Sequence, residues 1–324
     1  MALARRAVEP SLAPAADRPG ALGALTASAL RHGLLALARQ EGVRAVAMTL
    51  PAARALAARF VAGEERPQAV AAVAALRRRG LMATVDYLGE NVADPEQARA
   101  HAEEYLRLLA DLRAAGLDAH VSLKLTAMGL DVDEGLPLEL VGRIAERAPF
   151  VRLDMEGSAY TEATLRLFRR LRSEHANVGI VLQAYLRRTS ADVEEMIRLR
   201  ARVRLCKGAY DEPPEVAFPS KAQVDASYVR LAERLLAEGD YPALATHDAA
   251  IIRQILALAP PPERFEFQML YGVRGDLQDE LVRRGQNVRI YVPYGRSWYP
   301  YFMRRLAERP ANLAFFLRAL GSGR

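Results

Sequence analysis

Arg289-Ile-Tyr-Val-Pro-Tyr-Gly-Arg-Ser-Trp-Tyr-Pro-Tyr-Phe-Met-Arg-Arg-Leu-Ala-Glu308 reads as one strand followed by one helix. Apolar and β-branched residues from Val288 to Val292 give the strand, and Pro293 and Gly295 end it. Pro300 stands near the start of the helix, where a missing N–H costs nothing. Tyr301, Arg304, Arg305 and Glu308 then fall at i, i+3, i+4 and i+7 and share one side. A tyrosine, two guanidinium groups and a carboxylate make a poor core face. That face is either a solvated basic surface or a clamp for a small carboxylate, to which Arg offers paired donors in a fixed fork.

The same strand-then-helix unit recurs upstream. Short β runs fall at 81–88, 120–126, 150–155, 178–184, 202–207, 241–246, 265–270 and 287–292. Helical patterns between them open on start signals such as Asp94-Pro95, Thr161 and Ser190, and the one near 137–147 is expected to be the shortest. Eight strands alternating with helices imply an α/β fold with a parallel sheet, and eight is the number that closes a (β/α)8, TIM-type barrel. A doubly wound sheet competes, but it would carry G-x-G-x-x-G after an early strand, and no such motif occurs. Ahead of the barrel, residues 1–20 are expected to be a disordered tail. Within 21–80, helices are expected at 22–39, at 50–62 with Thr49 as N-cap and Pro51 in its first turn, and at 67–79 opening on Pro67. They should pack on a catalytic barrel of residues 81–324 whose C-terminal helix is a lid.

The 324 residues are 51% hydrophobic and 26% charged, as in an ordinary globular protein with a large core. The one cysteine, Cys206, excludes an internal disulfide and suits a reducing compartment. Arg31-His32 breaks the most apolar stretch, Leu22 to Ala38, so no spanning helix is expected, and the N-terminus lacks the apolar core of a signal peptide. A cytoplasmic location follows. The net charge of +6 is scattered and has no aromatic-interleaved stripe, which argues against nucleic acid as a partner. Lys124, Lys207 and Lys221 are the only lysines among 45 basic residues, the bias of a GC-rich coding sequence. Where Arg is the default cation, each Lys raises a chemical question.

A barrel of this type places its active site at the C-terminal ends of the strands. Those ends carry Gly89-Glu90, Lys124-Leu-Thr126, Asp154-Met155, Gln183, Arg204 with Lys207, Thr246-His247, Gln268 and Tyr291. One polar strand end is commonplace, but eight of eight imply a ring around one polar pocket, above a conventional apolar core. No P-loop occurs, and the five histidines are dispersed, so no metal site is expected.

Val203-Arg-Leu-Cys-Lys-Gly-Ala-Tyr210, Ala245-Thr-His-Asp248, Phe265-Glu-Phe-Gln-Met-Leu-Tyr-Gly272 and Tyr301-Phe-Met-Arg-Arg-Leu-Ala-Glu308, in that order, resemble the proline dehydrogenase family over about residues 81–312. The compact length is similar to the monofunctional bacterial form. The resemblance implies a distorted (β/α)8 barrel, FAD as cofactor, and oxidation of L-proline to Δ1-pyrroline-5-carboxylate, the first step of proline catabolism. By matching position it implies that Lys124, Arg304 and Arg305 hold the substrate carboxylate. Leu270, Tyr291 and Tyr301 would wall the ring, with Ala209 and Asp154 nearby. Asp154 and Arg204 would stand at the reaction centre, and Glu90 would act as a gate by pairing with Arg304. FAD would be held by Met155, Gln183, Arg204, Cys206 and Lys207, and further by Gly208, Tyr210, Thr246, His247, Gln268 and Glu308. Two positions depart from the family: Cys206 stands where valine is common, and Asp248 where asparagine is frequent. Electrons would pass to a membrane quinone, the basic surface resting peripherally on the inner face of the bacterial membrane. A separate pyrroline-5-carboxylate dehydrogenase would receive the product.

Residue chemistry leads to the same place. A site that selects a small zwitterionic amino acid needs cations for its carboxylate and an apolar wall for its ring. Two other readings use the same residues: a Schiff-base lyase or aldolase with Lys124 as nucleophile, and a flavin-binding regulatory protein without catalysis.

Overall fold

A computed structural model describes residues 55–308, with side chains through Leu306. The expected tail 1–20, the helix 22–39 and the start of the helix at 50 lie outside the described residues. The helical part of 50–62 ends at Ala57, sooner than the pattern suggests. The next helix is α1 (Arg66–Arg78). The barrel follows as β1 (Met82–Tyr87), α2 (Pro95–Ala114), β2 (His120–Leu123), α3 (Gly135–Ala145), β3 (Val151–Leu153), α4 (Ser158–Glu174) and β4 (Val178–Gln183). It continues as α5 (Thr189–Arg198), β5 (Val203–Cys206), α6 (Lys221–Glu238), β6 (Ala243–Ala245), α7 (Ala249–Ala257), β7 (Glu266–Leu270), α8 (Gly275–Arg283), β8 (Val288–Tyr294) and α9 (Trp298–Glu308). The strands are parallel and close in the order β1 to β8, with β8 pairing back on β1.

Three local expectations need correction. The second strand ends at Leu123, and Thr126–Met128 form a 3-10 turn. The helix α3, with 11 residues, is longer than α7 and α8, which have 9 each. Pro293 does not end β8; it pairs with Asp86 of β1. The β7–β8 pairing has already stopped at Leu270–Tyr291, so the missing proline N–H leaves no ladder partner short. The start of α4 was also hidden from local sequence. Its first residue, Ser158, donates its N–H to Glu212 Oε1 at 2.6 Å, so the cap comes from a different loop.

Outward-facing strand residues pack against the helices. Val85, Val121, Leu123, Leu153, Ile180, Leu205, Phe267 and Ile290 share one buried cluster with Leu108 of α2, Leu140 of α3 and Phe168 of α4. Each such side chain contributes roughly 1.5–3 kcal/mol. The inward-facing residues overturn the expected apolar core beneath the polar ring. Thr84, Asp86, Ser122, Arg152, Arg204, Glu266, Gln268 and Arg289 are all buried, so the lumen is filled by polar and charged groups. Period-2 alternation is compatible with either content; only the closed barrel turns these side chains inward.

Buried charge has to be paired. Arg289 Nε donates to both Glu266 oxygens, at 2.9 and 3.0 Å, and its Nη1 donates to the Ala83 carbonyl at 2.9 Å. Glu266→Ala would leave that guanidinium without its carboxylate. The expected cost is about 3–5 kcal/mol, read as a lower urea midpoint at unchanged m value.

Candidate active site

The charged chain continues from the lumen toward the C-terminal mouth. Gln268 donates to Glu266, and Arg204 Nε donates to the Gln268 side-chain oxygen. Arg204 Nη1 donates to Asp154 Oδ1 at 2.8 Å and to Ser122 Oγ at 3.1 Å. Its guanidinium lies 5.3 Å from the centroid of the Tyr291 ring. The Tyr291 hydroxyl stands 2.8 Å from Asp154 Oδ2 and 2.6 Å from Asp86 Oδ2. Lys124 Nζ, 7% exposed as a residue, completes the chain 3.4 Å from Asp86 Oδ2. Burial opposes the Lys124 charge, but Asp86, Asp154 and Glu90 hold the ammonium above its ordinary pKa.

Above Lys124 is a cavity of about 770 Å³, lined among others by Glu90, Ala209, Tyr210, Tyr301 and Arg304. Arg304 Nη1 donates to Glu90 Oε1 at 3.0 Å. Burial pushes the Glu90 carboxyl up, but the charges of Arg304 and Lys124 prevail and hold it below the ordinary range. Burial likewise raises the Tyr210 phenol to about 12, so it stays neutral. The helix α9 is not a solvated face: Trp298, Tyr301, Phe302 and Leu306 are buried against Leu56 and Phe60, with Leu270 and Tyr291 packed alongside. The Arg305 guanidinium lies 5.3 Å from the Tyr301 ring centroid. The segment 55–63 packs on this helix and is tied to β8 and the turn after it, with Ala62 N donating to Pro293 O and Gly295 N to Gly63 O.

The remaining predicted residues stand around β3 to β7. The Met155 side chain is buried in the apolar core cluster. Gln183 Nε2 donates to the Glu156 carbonyl at 2.9 Å. Burial raises the Cys206 thiol to about 12, which makes it inert. Gly208 has φ +117°, and a Cβ there would strike the Tyr185 ring, so the turn after β5 requires glycine. Thr246 Oγ1 accepts from Asp248 N at 3.1 Å. His247 Nε2 accepts from Leu270 N at 2.9 Å, which puts the ring hydrogen on Nδ1. Lys207 Nζ donates to Asp225 Oδ1 at 2.5 Å and to Asp248 Oδ2 at 2.9 Å. Lys207, with Lys221 beside it, holds the Asp248 carboxyl down at about 2 despite burial. The Glu308 side chain lies outside the described ones. Arg204 and Lys207 offer cationic donors and His247 and Gln183 neutral ones, a set that fits a phosphate-bearing cofactor with a polar ring system. Asp225 and Asp248 would compete for Lys207.

Sequence reading passed over several residues of this site. Asp86 and Ser122, the latter the hydrogen-bond partner of Asp154 at 2.6 Å, carry no signal in the local sequence. His101 comes from the middle of α2 and packs 4.5 Å from the Tyr87 ring; burial lowers its pKa to about 4. Glu156 follows the Asp154-Met155 pair and could have been noticed as a second carboxylate two residues on. It is buried, accepting from Thr126 N at 3.2 Å and Thr126 Oγ1 at 2.7 Å.

A closed barrel with a buried ammonium and a guanidinium–carboxylate pair facing one small cavity is a (β/α)8 enzyme for a small anionic or zwitterionic substrate. A sequence profile described as proline dehydrogenase matches residues 69–318. The chain is 42% identical over 299 residues to Proline dehydrogenase 1 of Bacillus subtilis subsp. natto, covering 90% of this chain and 99% of that one. It is 43% identical over 281 residues to Proline dehydrogenase of Deinococcus radiodurans, covering 83% and 91%. Among solved structures it is similar to proline utilization A from Bdellovibrio bacteriovorus inactivated by N-propargylglycine, with TM-score 0.72 and 28% identity over 79% of this chain. The chain spans about a third of that longer protein. The chain belongs to the proline dehydrogenase family. It is an oxidoreductase that oxidises proline in proline catabolism.

Glu156 gives the site a pH signature. Burial raises its carboxyl to about 7. A folded-state pKa above the unfolded value means that the native protein binds the extra proton, so stability falls as pH rises toward the folded pKa. Between about pH 5 and pH 7 the parent should lose about 2 kcal/mol relative to Glu156→Gln, measured by urea unfolding at several pH values.

Proposed function

We propose that the chain oxidises L-proline to Δ1-pyrroline-5-carboxylate with non-covalent FAD and passes the electrons to a membrane quinone. The observation that carries this reading is the placement of Lys124 and the Glu90–Arg304 pair on one cavity beside Leu270, Tyr291 and Tyr301. Those groups match a small zwitterion with an apolar ring. Lys124, Arg304 and Arg305 take the carboxylate, and Ala209 with the two tyrosines and Leu270 excludes water from the ring. Glu90 holds Arg304 until substrate arrives, so α9 acts as a lid.

When bound, FAD would supply hydride-accepting chemistry for oxidation at C5 of the ring, the amine proton being released to solvent. The cofactor would rest on Gln183, Arg204, Lys207, Gly208, Tyr210, Thr246, His247 and Gln268, with backbone contacts at Met155 and Cys206 and a further contact from Glu308. Arg204, bound to Asp154 beneath the mouth, supplies fixed positive charge where negative charge develops. A separate pyrroline-5-carboxylate dehydrogenase takes the product. Among the described residues no helix is long and apolar enough to cross a membrane. Quinone access would run through peripheral contact, aided by the +6 net charge. The Schiff-base reading needs a neutral amine at Lys124, whereas the surrounding carboxylates favour the ammonium.

Heat should release FAD from the purified protein, and anaerobic L-proline should bleach the flavin absorbance. Release of another cofactor, or a spectrum indifferent to proline, would sink the reading. A borohydride-trapped adduct on Lys124 would put a Schiff-base enzyme in its place.

Lys124 allows a sharper test. Two arginines approach the carboxylate from the lid, and a third planar fork from below would crowd so small a substrate, so the compact ammonium is the fitting cation. Losing one charge-assisted hydrogen bond costs about 1.5–3 kcal/mol, hence roughly tenfold to a hundredfold in kcat/KM. Lys124→Ala should lose that much, and Lys124→Arg should not restore it, with flavin content unchanged in both. Steady-state kinetics on flavin-loaded protein decides the matter.

A further inference from the structure

Asp86 is 1% exposed at the floor of the mouth, and its surroundings can be counted hydrogen by hydrogen. The Tyr291 hydroxyl has one hydrogen but faces two carboxylate oxygens, Asp86 Oδ2 at 2.6 Å and Asp154 Oδ2 at 2.8 Å. The Tyr105 hydroxyl of α2 stands 3.2 Å from Asp86 Oδ1, yet its single hydrogen has the Ser122 carbonyl at 2.7 Å as its nearer acceptor. Lys124 Nζ is 3.4 Å from Asp86 Oδ2, well beyond the roughly 2.7–2.9 Å of a charge-assisted bond. Two hydroxyl hydrogens therefore serve four acceptor oxygens, and the one cation nearby makes only a long 3.4 Å contact with the carboxyl. A single added hydrogen on Asp86 relieves the conflict: Asp86 donates to Tyr291, and Tyr291 donates to Asp154.

Asp86 and not Asp154 is the place for that hydrogen, because Asp154 already carries Arg204 at 2.8 Å and Ser122 Oγ at 2.6 Å as donors to its charge. The groups facing Asp86 are thus Ser122 from β2 and Lys124 just after it, Asp154 just after β3, Arg204 beyond it from β5, Tyr291 from β8 and Tyr105 from α2. Burial raises the Asp86 carboxyl; Lys124 opposes this, Asp154 adds to it, and the net direction is upward.

We propose that Asp86 is a positioning residue held as a neutral carboxylic acid, and that its hydrogen fixes Tyr291 while leaving the Lys124 charge free for the substrate carboxylate. The functional half rests on reading the mouth as the proline site. With Asp86 neutral, Asp154 and Glu90 remain to favour the Lys124 ammonium, whereas an ionised Asp86 would tighten the Lys124 contact into a close ion pair and leave two carboxylates around one hydroxyl oxygen. Raising the pH should therefore raise KM for L-proline through loss of Lys124, with a smaller effect on kcat.

Infrared difference spectra of the substrate-free holoenzyme test the protonation directly. The parent minus Asp86→Asn spectrum should contain the C=O stretch of a carboxylic acid that shifts in D2O and disappears at alkaline pH. Carboxylate bands alone at neutral pH would overturn the proposal. Tyr291→Phe should move the acid band to higher frequency by removing its hydrogen-bond acceptor, and an unmoved band would count equally against it. In kinetics, Asp86→Asn should lack the alkaline rise in KM of the parent. A neutral-pH KM raised roughly as far as in Lys124→Ala, by tenfold or more, would mean that the aspartate charge is needed. The infrared result stands whether or not proline binds, so failure of the proline reading and failure of the proton assignment are separable.

Discussion

Charge inside the barrel must be cancelled within the barrel, and this requirement organises the molecule. Arg289 meets Glu266, Glu266 meets Gln268, Gln268 meets Arg204, and Arg204 meets Asp154. Tyr291 joins Asp154 to Asp86, and Asp86 neighbours Lys124. Breaking any member leaves a buried charge or donor without its partner, which is far costlier than losing a surface pair. The chain spans β1, β2, β3, β5, β7 and β8, so the closed sheet and its polar filling specify each other.

That filling also fixes the mouth. Arg204 and Lys124 are long, flexible side chains, and in an apolar lumen they would sample many rotamers. Here Arg204 is held by Gln268, Ser122 and Asp154 from three strands, so its orientation is settled before any ligand arrives. Such preorganisation is how a site avoids reorganisation cost during reaction. Lys124 is held more loosely, by one 3.4 Å contact to Asp86.

The opposite wall is assembled from distant parts of the chain. The helix α9 follows the last strand, yet its apolar side is covered by Leu56, Phe60 and Val61 from ahead of the first strand. Arg304 then reaches Glu90, which follows β1. The helix is thus anchored at its back by packing and at its front by one ion pair.

Strand runs, helix starts and the closing number eight were legible in the sequence because period-2 and period-3.6 patterning is written locally. Polar strand ends at Lys124, Asp154, Arg204 and Gln268 were legible for the same reason. What lay above and below them was not. Arg152, Glu266 and Arg289 occupy positions where alternation allows either an inward or an outward charge, and only closure of the sheet decides that they face one another. Asp86 and Ser122 became site residues because β1 and β2 are adjacent and parallel in one register. The cap of α4 by Glu212 and the covering of α9 by residues 56–61 join segments far apart in sequence. The sequence by itself determined which elements form and which side chains can carry charge or ring contacts. The tertiary structure decided which charges share a desolvated space, because pairing and burial depend on distance through space and not on distance along the chain.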